Sequence, residues 1–264
     1  MPFFKAVLFD WVGTLIVPKW GPAQGRPKGA LCIERSLRQL GRDASQSQVQ
    51  QISSALSTAG MRPDVEQGWV RADASAESHR RGYDRWVNAA GIDSVLVQEM
   101  YAALSDPTDA RFATDTEPHL RTLKAAGLKV AVISDIHFDI RPGFVKDDLD
   151  GYVDQFVLSF EHGICKPDPA IFRVALDALG VQPCEALMVG DRSGYDGAAV
   201  EAGVAALLVP PLTQVSQARL HLVPAACGIR LSLTAPPAER PPRAAAAPDR
   251  ERGVPPSELF QPGH

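Results

Sequence analysis

Cysteine is scarce in this 264-residue chain, and each one stands alone: Cys32, Cys165, Cys184 and Cys227 form neither a CxxC pair nor a framework dense enough to staple a small secreted fold. A reducing, cytoplasmic setting is the expectation. An excess of positive charge is also missing, since 27 Lys and Arg stand against 31 Asp and Glu for a formal net charge of −4. That removes the overall basic field a nucleic-acid partner requires, so a small anionic ligand would need a local cluster of donors. No apolar run approaches a membrane span, Asp10 interrupts the first apolar stretch too early for a signal peptide, and no internal repeat is visible. The expected partner is a small anionic molecule, with neither nucleic acid nor membrane, and no feature speaks to oligomeric state.

What is present is ordinary globular composition, 45% hydrophobic and 22% charged. Short Val-, Ile-, Leu- and Phe-rich runs recur at Ala6–Phe9, Lys129–Ile133, Gln155–Ser159, Ala186–Val189 and Ala205–Val209 without polar alternation. Such runs are expected of parallel strands buried on both faces. Helical patterns lie between them. Glu117–Ala126 stops at Gly127, and Pro169–Leu179 opens on Asp168 as N-cap with Pro169 at the first helical position and closes on Gly180.

From Val17 to Ala110 the pattern changes to polar helical stretches at Ala30–Leu40, Ser47–Ala59 and Ala76–Ala90, with no clear buried strand. This reads as an inserted helical domain, entered through the Gly/Pro-rich loop Pro18–Gly29 and left near Asp106-Pro107. From Thr234 the chain turns to Ala, Pro and Arg with almost no large apolar residues until Leu259-Phe260, the composition of a disordered tail. The expected architecture is therefore α/β: a Rossmann-like parallel sheet core flanked by helices over 1–16 and 111–225, a helical cap inserted after the first strand over 17–110, and a disordered tail over 234–264.

The first strand ends in Asp10, which puts a carboxylate at the carboxyl end of a parallel strand, where open α/β sheets build their sites. Alone it could be a turn former. Its company is more telling: Ser134 ends the second core strand, Lys166 precedes Pro167-Asp168-Pro169, and Asp191 and Asp196 follow the strand Ala186–Val189. Carboxylates converging on one edge repel unless a cation lies between them, and hard oxygen ligands suit Mg²⁺. A lysine and a serine beside them can hold a phosphoryl oxygen.

Asp10-x-x-Gly13-Thr14, Ser134, Lys166-Pro167 and Gly190-Asp191-x-x-x-x-Asp196 resemble, in order and spacing, the four motifs of the haloacid dehalogenase superfamily. The resemblance covers residues 4 to 210 and includes a helical cap between the first and second motifs. It implies a hydrolase whose nucleophile is Asp10, with Asp10, the Val12 carbonyl and Asp191 as magnesium ligands and Asp196 orienting a metal-bound water. It also implies that Thr14 and Ser134 hydrogen-bond the transferring group and that Lys166 neutralises the nucleophile and the phosphoryl oxygens. A carboxylate nucleophile splits one difficult displacement into two easier ones.

One position departs from the phosphatase pattern. Where those enzymes carry a second aspartate as general acid and base, this chain has Val12. Such help is worth about 10²–10⁴ in rate, so the expected substrate has a leaving group that needs no proton, such as an acyl phosphate, or another residue substitutes. Asp135, His137, His162 and His79 are the stand-ins, with Asp135 and His137 favoured for adjoining Ser134 and expected with Ser134 and Trp20 to bind substrate. Three other readings stay open. True 2-haloacid dehalogenases also lack the second aspartate but need no metal. Phosphonoacetaldehyde hydrolases share a small apolar residue at the position of Val12 and use a cap lysine, for which only Lys19 and Lys28 are available, neither in an apolar context. A catalytically impaired phosphate-binding or regulatory protein is the third.

In the cap, Arg71, His79, Arg80, Arg81, Tyr83, Arg85 and Trp86 make Val70–Ala90 basic and aromatic. That pattern suits either an anionic substrate or, as preferred here, a solvated helix face with Trp86 and Val87 turned inward. Trp20, Arg26 and Lys28 follow the nucleophile in a loop of the kind that carries specificity.

Overall fold

The computed structural model describes residues 2–19 and 29–229. Trp20, Arg26 and Lys28, and the tail expected over 234–264, lie outside the described residues.

Five parallel strands, β1 (Ala6–Phe9), β2 (Lys129–Ser134), β3 (Gln155–Leu158), β4 (Ala186–Gly190) and β5 (Ala205–Leu208), form one sheet in the order β3-β2-β1-β4-β5. Successive side chains of a strand point to opposite faces, and the sheet uses both. Val7, Phe9, Val130, Val132, Leu187 and Val189 pack on one side with Leu120, Leu123 and Phe144. Ala6, Leu8, Ala131, Ile133, Ala186 and Met188 pack on the other with Ile171, Phe172 and Leu176. Fully burying one such large side chain is worth about 1.5–3 kcal/mol, so the two layers fix the register strongly. The strand β5 departs from expectation: Ala205 and Leu208 are exposed, whereas β3, the other edge strand, keeps Val157 and Leu158 buried.

Helix α9 (Pro169–Leu179) starts as its sequence predicts, with the Asp168 carboxylate accepting from Ala170 N at 2.9 Å, and ends on Gly180 in the left-handed region. The remaining helices of the sheet layer are α6 (Thr116–Ala125), α7 (Arg141–Lys146), α8 (Ser159–His162) and α10 (Leu222–Ala226). Ser159, expected at the end of β3, instead opens α8.

Between β1 and β2 the described residues form α1 (Ala30–Gln39), α2 (Gln46–Gly60), α3 (Pro63–Gly68), α4 (Ala76–Ala89) and α5 (Ser94–Leu104), with no strand among them. They bury their own cluster, including Ile33, Leu37, Leu56, Tyr83, Val87 and Met100. Side-chain caps define three of the starts: Ser45 accepts from Gln48 N, Ser75 from Ser78 N and Asp93 from Leu96 N. No helix among the described residues is long and apolar enough to cross a membrane.

Candidate active site

Register assembles the site. Phe9 pairs with Val132 of β2 and Val189 of β4, so one residue further on Asp10 emerges between the ends of its two neighbours. Ser134 completes β2 and Asp191 follows β4 directly. Three side chains far apart in sequence thus reach one carboxyl edge, as a parallel sheet requires.

Lys166 organises the carboxylates. Its ammonium donates to Asp10 Oδ1 and to Asp196 Oδ1, each at 2.6 Å, and all three side chains are buried. Burial alone would lower the pKa of Lys166, but Asp10, Asp196 and Asp135 outweigh it and hold the ammonium well above its ordinary range. The Thr14 hydroxyl lies 3.3 Å from both Asp10 Oδ2 and Asp191 Oδ1, donating between them. Asp10 and Asp191 are both raised, in each case first by burial and then by neighbouring carboxylates. Asp196 also accepts from Arg192 N through Oδ2 at 2.9 Å, so both of its oxygens carry protein hydrogen bonds. Asp10, Asp191 and Asp196 offer donor atoms within 4.8 Å of one another.

The backbone around this cluster is equally constrained. Gly13 has φ +85°, and a Cβ there would lie 2.7 Å from Asp191 Oδ2. At Gly190 a Cβ would lie 2.3 Å from Asp196 Oδ2. Both glycines let carboxylates approach the main chain. Arg219, which sequence reasoning missed, is buried and donates to the carbonyls of Gly13, Thr14 and Pro210. Its own backbone N–H is held by Asp115 Oδ2 at 2.6 Å. It clamps the loop that carries Thr14. No motif flagged it, because a lone arginine far along the chain carries no spacing signal.

Of the remaining expected residues, Ser134 is buried at the strand end, and Asp135 accepts from Lys166 N at 2.9 Å, its pKa raised by burial. Val12, Asp135 and His137 line one cavity of about 200 Å³ together with Trp11, Ile136 and Phe138. The indole N–H of Trp11 is buried there without a hydrogen-bond partner. His79 reaches the same cavity from α4, stacked on His137 with ring centroids 3.3 Å apart. Burial, then the facing His137, pushes His79 down to about 4. His162 is exposed at the end of α8 and belongs to no such cluster. Lys19, expected in a polar context, is half-buried with its pKa lowered by burial, yet its ammonium donates to the carbonyls of Ala103 and Asp106. On α4, Arg81 and Arg85 are exposed and Arg81 pairs with Glu77. Arg80 is instead half-buried, paired with Asp84 and with its guanidinium 4.5 Å from the centre of the Tyr101 ring. Val87 turns inward and Trp86 is only half-buried.

Lys166→Met is expected to cost about 3–5 kcal/mol in unfolding free energy, because it strands two buried carboxylates. Urea unfolding measures the loss, and an unchanged midpoint would contradict the pairing.

Curated relatives match the chain in part. A phosphoserine phosphatase of Thermus thermophilus is 40% identical over 83 residues, 31% of this chain and 33% of its own length. A glyceraldehyde 3-phosphate phosphatase of Methanopyrus kandleri is 32% identical over 125 residues, 45% of this chain and 53% of its own. Against the mouse acyl-CoA dehydrogenase family member 10, 28% identical over 152 residues, the match spans 56% of this chain and only 14% of the relative. The chain thus spans about half or less of the length of these relatives. Solved structures share the fold: the L-2-haloacid dehalogenase of Xanthobacter autotrophicus superposes with TM-score 0.56 at 21% identity, covering 80% of this chain and 79% of that one. A HAD phosphatase from Thermococcus onnurineus superposes with TM-score 0.51 at 23% identity, covering 78% and 86%. Residues 4–203 match the family model of haloacid dehalogenase-like hydrolases, and with the strand-end carboxylates, Lys166 and the sheet order on which they stand, the chain belongs to that family.

Proposed function

We propose that the chain is a magnesium-dependent phosphohydrolase acting on a small phosphorylated metabolite through an aspartyl-phosphate at Asp10. The observation that carries this reading is the charge balance of the site. Three carboxylates converge and one ammonium bonds among them, which leaves two negative charges in a buried setting. A divalent cation answers that charge, and carboxylate oxygens are the donors Mg²⁺ prefers. Asp10, Asp191 and the Val12 carbonyl would hold it, with Asp196 orienting a water, and the cation would supply charge neutralisation on the phosphoryl oxygens.

The chain's own residues supply the rest. Asp10 attacks phosphorus in line, forming an O–P bond as the bond to the leaving oxygen breaks. Lys166 stays on the other carboxylate oxygen and meets equatorial charge, while Thr14 and Ser134 donate to the same oxygens. Water then cleaves the acyl phosphate and returns the Asp10 carboxylate.

The cavity beside Val12 narrows the substrate. Its largely apolar walls of Trp11, Val12, Ile136 and Phe138 suit a small leaving group. An acyl phosphate needs no proton on departure, since its leaving group is a stable carboxylate, and Lys19, which lines the same cavity, offers that anion a counter-charge. For alkyl phosphates, His137 or Asp135 is the stand-in acid. The names of the phosphatase relatives support phosphoryl rather than halide chemistry. Free cysteines at Cys32, Cys165, Cys184 and Cys227 support a reducing cytoplasm.

Dehalogenation is the second reading, favoured by the apolar Val12 and by the dehalogenase fold neighbours. Phosphate and halide release, each measured with Mg²⁺ and with chelator, separates them. Magnesium-dependent phosphate release supports the proposal; halide release that persists in chelator overturns it. Binding of phosphate without turnover of either kind would point to a retired enzyme.

Gly13→Ala tests the metal reading without replacing a ligand. The methyl group collides with Asp191 at an unfavourable positive φ, so the Mg²⁺ concentration for half-maximal activity should rise about 10-fold or more. An unchanged requirement would remove Asp191 and the Val12 carbonyl from the metal site.

A further inference from the structure

We infer that Asp73, His79 and His137 form a second cation site, separate from the Asp10 cluster, which takes a divalent transition metal and ties the helical insertion to the sheet. Asp73 lies in the 3-10 turn Ala72–Ala74 and His79 on α4, both in the insertion, whereas His137 belongs to the loop after β2. The three therefore meet across the boundary between the two parts of the chain.

Tautomers follow from what backs each ring. His137 Nε2 lies 3.0 Å from Ser105 Oγ, and His79 Nδ1 lies 3.3 Å from the Tyr101 hydroxyl. If each of these nitrogens carries its proton toward that oxygen, His137 Nδ1 and His79 Nε2 are left as bare acceptors. Metal-binding histidines are characteristically held this way, with the non-ligating N–H engaged by an outer partner. Both bare nitrogens face Asp73 Oδ1, at 3.6 Å from His137 and 3.9 Å from His79. These distances are too long for hydrogen bonds. His137 Nδ1 is consequently a buried nitrogen with no partner, on a side chain only 4% exposed.

Spacing selects the ligand. Donors arranged tetrahedrally about a metal at about 2.1 Å stand about 3.4 Å apart, whereas about a primary ammonium at about 2.9 Å they stand about 4.7 Å apart. The distances to Asp73 fall nearer the metal's value. Two imidazole nitrogens and one carboxylate suit Zn²⁺, Co²⁺ or Fe²⁺, while Mg²⁺ prefers oxygen donors throughout. The imidazole planes are parallel within 7°, so each ring must tilt about its side-chain torsions for the lone pairs to converge. The cavity of about 200 Å³ lined by all three residues gives room for that tilt, a route of entry and space for further ligands. Because Asp73 and His79 come from one side of the boundary and His137 from the other, a bound ion would hold the insertion against the loop beside Asp10. This inference does not depend on the phosphohydrolase reading and would hold for a retired enzyme.

Co²⁺ titration of the metal-stripped full chain in excess Mg²⁺ tests it, read by visible absorption and by equilibrium dialysis. One bound equivalent is expected in the wild type and in Asp191→Asn. Affinity should fall more than about 100-fold in His79→Gln and His137→Gln and about 10-fold in Tyr101→Phe, which removes only an outer partner. Tyr101→Phe also keeps the test decisive should a histidine variant fail to fold. No Co²⁺ binding in the wild type, undiminished binding in both histidine variants, or loss confined to Asp191→Asn would each overturn the site.

Discussion

Asp10→Asn is expected to lower kcat for phosphate release by on the order of 10⁴–10⁶-fold, the range seen when a group at the centre of a catalytic unit is removed. The chain should remain folded, because Lys166 keeps its bond to Asp196 and the amide at position 10 still accepts from Lys166. Loss of activity with an unchanged unfolding midpoint therefore separates a nucleophile from a structural carboxylate. Steady-state kinetics beside thermal unfolding makes the comparison. A loss below about 10-fold would contradict both the nucleophile and the metal-ligand roles of Asp10.

The converse change adds function. Val12→Asp places a carboxyl group at the position phosphatases of this family use for general acid and base work, and Val12 already lines the cavity. Turnover of alkyl phosphates should rise by about 10²–10⁴-fold, while acyl phosphates, whose leaving group needs no proton, should change little. The ratio between the two substrates is the readout, since an effect on folding or metal affinity would move both together. No gain on either would mean that His137 or Asp135 already serves as acid or that the leaving group departs elsewhere, and an equal gain on both would mark an effect on folding or metal affinity instead.

Much of this site was legible from one sequence because its parts obey local rules. Each strand is a short apolar run, and Asp10, Ser134 and Asp191 end or directly follow such runs, so parallel pairing alone brings these three to one edge. Helix α9 was equally readable, its Asp-Pro start and Gly end being chemical signals within a few residues. What stayed hidden depends on tertiary contact. Arg219 reaches Gly13 and Thr14 across more than 200 residues of chain, and no periodicity anticipates that. His79 sits in a helix rich in arginine, and only the packing of α4 shows that it turns inward onto His137. The strand β5 is as apolar as its fellows in sequence, and composition does not say which strand's faces the helices leave uncovered. Helices α3, α7, α8 and α10, at four to six residues each, are too short for their own pattern to declare them.

The central claim is covalent: the phosphoryl group passes through the carboxylate of Asp10. Rapid acid quench of the enzyme with an acyl phosphate and Mg²⁺, followed by peptide mass spectrometry, tests it directly. The account predicts one phosphoryl group on the peptide carrying Asp10, absent in Asp10→Asn and absent when Mg²⁺ is chelated. Phosphate release with no such adduct at any quench time, or an adduct on another residue, would contradict it.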